Sequence, residues 1–114
     1  MARIVIKPVL LTTSFVSAHV VNPGVQATLI VATVWNLSLT TDYEFFMAFI
    51  PDGDSVGDIN TVVGAEGTAT NIIKASESRT YRFNHFLATG DDIQCKAGTG
   101  AKLALRLSVL EEAP

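Results

Sequence analysis

Apolar and polar residues alternate with a period of two along much of this chain. That is the signature of strands with one face on a core and the other toward water. The clearest run lies in residues 101–110, where Leu103, Leu105, Leu107 and Val109 share one face. Lys102, Ala104, Arg106 and Ser108 share the other, so a half-buried strand with Arg106 outward is predicted. Residues 79–84 repeat the phase, with Tyr81 and Phe83 opposed to Thr80 and Arg82.

Two segments depart from it. Residues 26–36 and 43–50 are apolar at both odd and even positions, which predicts strands buried on both faces. The second face needs a cover: the N-terminal segment, another subunit, or a central place in a single-chain core. Residues 43–50 also suit a short buried helix. Turn clusters fall between the apolar runs at Asn22-Pro23-Gly24, 36–42, Pro51-Asp52-Gly53-Asp54, 64–67, Gly90-Asp91-Asp92 and Gly98-Thr99-Gly100. They predict strands near 3–7, 9–21 (broken near Ser14), 26–36, 43–50, 60–63, 69–74, 79–86, 92–97 and 102–110. The expected fold is all-β, an antiparallel two-sheet sandwich, jelly-roll or immunoglobulin-like. Pro8 keeps its predecessor out of the helical region, so residues 1–7 are expected to form an extended N-terminal arm. Residues 1–19 then make arm and first strand, and 20–114 the sandwich domain.

At 114 residues one domain is expected, large enough for a core without disulfide or metal. Hydrophobic residues make up 48% of the chain and charged residues only 17%. A surface short of charge has fewer means of staying apart from its neighbours, which suits burial in an assembly. The eight Lys and Arg are scattered and outnumbered by eleven Asp and Glu, so no nucleic-acid partner is expected. No apolar run reaches the ~20 residues of a membrane helix, and no secretory leader is evident. Synthesis and folding in the cytoplasm are expected, with no membrane partner. A single cysteine, Cys95, fits a reducing compartment.

The candidate sites are few. His19 and His85 are the only histidines; no Gly-x-Ser-x-Gly elbow accompanies them, and both read as surface or boundary residues. The loop Asp52-Gly53-Asp54-Ser55-Val56-Gly57-Asp58 has oxygens and glycines that a calcium loop uses, but lacks the terminal Glu and flanking helices. It reads better as a plain solvated turn. Asp91 and Asp92 are adjacent, hence on opposite faces of a strand. Cys95 has only Lys96 nearby to lower its pKa, so a buried thiol is expected. Asn36-Leu37-Ser38 matches a glycosylation acceptor that a cytoplasmic protein would not use. No catalytic residue, metal site or cofactor is expected, and no enzymatic activity.

The order of features is itself informative. Val21-Asn22-Pro23-Gly24 precedes the apolar strand and Asn36-Leu37-Ser38; Tyr43 to Ile50 and the loop from Pro51 to Asn60 follow. Then come Ala75-Ser76-Glu77-Ser78-Arg79-Thr80-Tyr81, Leu87-Ala88-Thr89-Gly90-Asp91-Asp92-Ile93 and Lys96-Ala97-Gly98-Thr99-Gly100. Over residues 20–112 this resembles small tailed-bacteriophage virion β-sandwich proteins, of the capsid decoration (cement) or tail- and fibre-associated kind. Ser76-Glu77-Ser78 departs from the glycine such proteins usually carry in that turn. The resemblance implies no active site. It implies a virion location, a major capsid protein or other virion protein as partner, and a homo-oligomer, dimer or trimer. Two other roles suit the same residues: a tail, neck or fibre component, or a carbohydrate- or ligand-binding sandwich. Sugar-binding sites usually place aromatics on loops, whereas Trp35, Tyr43, Phe45, Phe46, Phe49, Tyr81 and Phe83 fall inside predicted strands.

Overall fold

A computed structural model describes residues 3–55, 57, 61–64, 71–98 and 102–112, apart from the side chains of Arg3, Val5 and Lys7. Over these residues the chain forms strands and no helix: β1 (Arg3–Leu10), β2 (Val16–Val20), β3 (Gln26–Asn36), β4 (Tyr43–Ile50), β5 (Thr61–Val63), β6 (Ile72–Ile73), β7 (Ser78–Leu87), β8 (Asp92–Ala97) and β9 (Leu103–Glu112). The segment 43–50 is therefore a strand. Its β-branched and aromatic neighbours in β3, β7 and β8 offer a pleated surface against which Phe45, Met47 and Phe49 pack.

The strands form two antiparallel sheets, a front sheet ordered β1-β9-β3-β7 and a back sheet ordered β2-β8-β4-β5, with β6 also paired to β4. The pairing is nested: β1 with β9, β2 with β8, β3 with β7, β4 with β5 and β6. Contacts β3·β9 and β4·β8 then join these pairs into sheets. Each of β2, β3 and β4 crosses to the sheet its predecessor does not occupy. That winding makes the sandwich a jelly roll, not an immunoglobulin-like stack.

Inward residues of both sheets meet in one core. Leu29, Val34, Leu103, Leu105 and Leu107 come from the front sheet; Phe45, Met47, Ile93 and Cys95 come from the back, all buried. Burial of several such side chains, at about 2 kcal/mol each, is what holds the sheets together. The alternation expected in β9 is present, with Leu103, Leu105, Leu107 and Val109 buried and Arg106 exposed. Rings stitch the sheets at the β7 side, Phe45 to Tyr81 at 5.6 Å and Phe49 edge-on to Phe83 at 5.2 Å.

Expectations for the two doubly apolar strands divide. On β4, Ala48 and Ile50 lie on the outer face and are buried by the chain itself. Beside them Phe46 packs where Gly64 approaches: a Cβ on Gly64 would fall 2.3 Å from the ring, and its φ of +100° is one only glycine adopts freely. On β3 only one face is buried. Its outward Val31, Thr33 and Trp35 are only half-buried, because none of the described residues lies over the front sheet.

The N-terminal segment also differs from a free arm. Residues 3–10 are extended, but they pair along β9 as the edge of the front sheet, Arg3 opposite Glu111 through Leu10 opposite Ala104. Leu11 N–H continues that ladder to the Leu103 carbonyl at 2.9 Å. Backbone groups there are satisfied within the chain, which favours pairing over projection into solvent. Residues 1 and 2 lie outside the described residues.

Candidate interaction surface

The residues singled out by chemistry are each engaged in holding the fold. His19 is buried, not at the surface. A bulge between Ser17 and His19 resets the phase of β2, turning His19 inward, where Nε2 lies 3.4 Å from Glu111 Oε2 of the opposite sheet. His85 is exposed at the end of β7 and stacks on Phe49 at 4.4 Å. Cys95 is fully buried, and that burial, reinforced by Asp92, pushes its thiol far above the ordinary cysteine range, leaving it protonated and out of reach.

Asp91 and Asp92 do point apart. Asp91 accepts from the Asp52 N–H at 3.1 Å and the Ala88 N–H at 2.9 Å, tying two turns together. Asp92 accepts from Ser17 Oγ at 2.6 Å and Gln94 Nε2 at 2.7 Å. The turns meet closely because Gly90, at φ +88°, has no Cβ; one placed there would lie 2.5 Å from the Asp52 carboxyl carbon. Asp54 N–H closes its own turn onto the Pro51 carbonyl. Val56 and Asp58 of the same loop lie outside the described residues.

Asn36 serves neither solvent nor sugar. Its Nδ2 donates to the carbonyls of Ile73 at 2.9 Å and Thr41 at 2.8 Å, while Oδ1 accepts from the Ser38 N–H at 2.8 Å. Ser38 Oγ accepts in turn from the Thr40 and Thr41 N–H groups. The Ser76 N–H bonds to the Ser38 carbonyl; Ser76 itself sits at φ +59°, where glycine would carry no steric cost. The β3–β4 loop is thus fastened from both sides, and it presents an apolar tip. Leu39 is 84% exposed, and Leu37 is also exposed.

That tip borders the outer face of the front sheet, which the described residues leave uncovered. Cross-strand register arranges this face in rows. Ile4, Leu110, Thr28 and Phe86 form one row; Ile6, Ser108, Val31 and Arg82 form the next. Pro8, Arg106, Thr33 and Thr80 follow, then Leu10, Ala104, Trp35 and Ser78. Ile4, Ile6, Leu10 and Phe86 are all more than half exposed. Among the described strand residues, the charged groups of this face are Arg82, Arg106 and Glu112. At its loop end Pro8, Leu10, Trp35, Leu37, Ala104 and Arg106 border an open groove of about 440 Å³, where the Arg106 guanidinium lies 5.3 Å from the Trp35 ring centroid.

The edges of this sheet are blunted. Since Leu11 N–H faces β9, alternation turns the backbone groups of residues 4, 6, 8 and 10 to the free edge, and Pro8 has no N–H to offer there. At the opposite edge β7 is interrupted by the irregularity in its pairing with β3 at Leu29/Val31 and exposes Arg79 and Arg82. Sequence reasoning singled out residues 26–36 and missed the rest of this face. The available signal was β1, where Ile4, Ile6, Pro8 and Leu10 are apolar on one side of the strand. No protein-family model matches the chain, and no curated protein matches its sequence.

Proposed function

We propose that this chain is a structural protein of a tailed-bacteriophage virion, a capsid decoration (cement) protein that binds the assembled shell and stabilises it. The observation that carries this reading is the outer face of the front sheet. It is wide, rich in exposed aliphatic and aromatic side chains and poor in charge, whereas monomeric proteins seldom expose contiguous apolar patches beyond a few hundred Å². Two further features support it. The loop tip is held by the Asn36 and Ser38 hydrogen bonds, so Leu37 and Leu39 can act as anchors without a large ordering cost on binding. Jelly rolls also recur in capsid domains, support that is analogy of fold alone. On this reading the chain performs no catalysis, resides in the virion, and uses the groove bordered by Leu10, Trp35, Leu37 and Arg106 to seat a segment of the major capsid protein.

Particles lacking this protein provide the test. Purified chain added back should occupy the shell and raise its heat resistance, and Leu39→Asp should abolish occupancy while the chain remains folded. Failure to associate with particles refutes the reading, and density on tail or neck moves the protein to that part of the virion.

A further inference from the structure

The pattern of the front face is self-complementary, and the geometry points to a second copy of this chain as its occupant over all but the row nearest the loop tip. We infer that two chains pack front sheet to front sheet about a two-fold axis. The axis lies in the interface, perpendicular to the strands, and passes between the row of Ser108 and the row of Leu110. Such an axis lays each row on the other row of the partner copy. Ile4 then faces Ile6 of the second copy, apolar on apolar. Phe86 faces Arg82, a guanidinium over a ring face. One row further out, Glu112 faces Arg106, and the two-fold repeats every contact.

All three charged side chains of the described face are matched in this way, with no like charges opposed. Arg106 is suited to the role because stacking on Trp35 occupies the flat of its guanidinium and leaves the in-plane N–H donors free for a carboxylate. The area also suits a pair. Four strands about 4.8 Å apart, over eight residues rising about 3.4 Å each, cover roughly 500 Å² in projection. Side-chain relief raises the accessible area toward the ~800 Å² per partner of a standard interface. Aligned sheet packing at about −30° is the ordinary way for two such faces to meet. The blunted edges at Pro8 and Arg79 disfavour the alternative, a sheet continued edge to edge.

This inference rests on the reading of the front face as an interaction surface, and it shares Pro8 and Arg106 with the groove end. The row of Leu10 and Trp35 stays outside the two-fold and remains available.

Charge exchange in the full chain tests it. Sedimentation equilibrium should show a dimer for the wild type. Arg106→Glu and Glu112→Arg should each weaken dimerisation by about tenfold or more, because each sets like charges face to face twice. The double variant should restore it. A nitroxide on Ser108→Cys, beside the axis, supplies a second measurement that leaves both charges in place; it should report an inter-chain separation of about 10–20 Å, as facing sheets require. A wild type that stays monomeric at the highest concentration reached, a double variant no better than the singles, or a longer separation overturns the two-fold. A dimer that passes these tests yet never attaches to particles leaves the two-fold standing and removes the capsid reading. A monomer that still decorates particles does the reverse.

Discussion

Asn36 shows how much one side chain can organise. Three hydrogen bonds from a buried amide join the end of β3, the β3–β4 loop and β6. Removing it strands the Ile73 carbonyl, the Thr41 carbonyl and the Ser38 N–H together. Asn36→Ala should therefore cost about 1–3 kcal/mol, the range for leaving buried polar groups unmet. Urea unfolding would measure the loss, and amide exchange should quicken across residues 37–41. In the sequence this residue reads as a turn former or a glycosylation pattern, because its partners at 41 and 73 are set by tertiary placement. His19 was hidden for a similar reason. Strict alternation from Val16 turns it outward, and only the bulge after Ser17 brings it in, to face a carboxylate far away in sequence. Glu111 was the more legible half of that pair: the alternation of β9, carried one step past Val109, places it on the inward face.

At the level of elements, period-two patterning carried most of the reading. β3, β4 and β8 appear where the pattern puts them, and β7 and β9 run one or two residues longer. The short strands β5 and β6 fall inside the expected 60–63 and 69–74; the weaker assignment was at Pro8, where β1 runs on to Leu10 and leaves β2 only Val16–Val20. The N-terminal segment was extended as expected, yet whether it pairs in its own sheet depends on a partner near the far end of the chain. Deleting residues 1–7 would thus strip most of an edge strand from β9. The two faces of β9 give a direct contrast. Leu105→Ala should lower stability by about 2–5 kcal/mol through loss of burial and the cavity left behind. Arg106→Ala, one residue away, should change it by no more than about 1 kcal/mol, the worth of a cation–π contact at the surface. Denaturant midpoints at unchanged slope would separate the two.

For the whole molecule, the strand pattern predicted a sandwich but left jelly roll and immunoglobulin-like windings open, because strand spacing does not record which sheet each strand joins. Nor could it show which apolar face stays uncovered: β3 and β4 look alike in sequence, yet among the described residues β4 is roofed and β3 is not. The nested pairing has a kinetic consequence. Innermost pairs can close early, but β1 and β9 must find each other across a loop of roughly a hundred residues, and shortening that loop to about ten would save ~2 kcal/mol of closure entropy. Topology of this kind makes for slow folding, with β1 docking late. Because Arg3 lies opposite Glu111, a short linker can join the two ends, and new ends can be opened at the exposed turn of Asn22, Pro23 and Gly24. In that circular permutant the outermost pair becomes a local hairpin. Stopped-flow refolding should then be faster than for the parent, with the unfolding rate less changed; equal refolding rates would mean that β1–β9 closure does not limit folding.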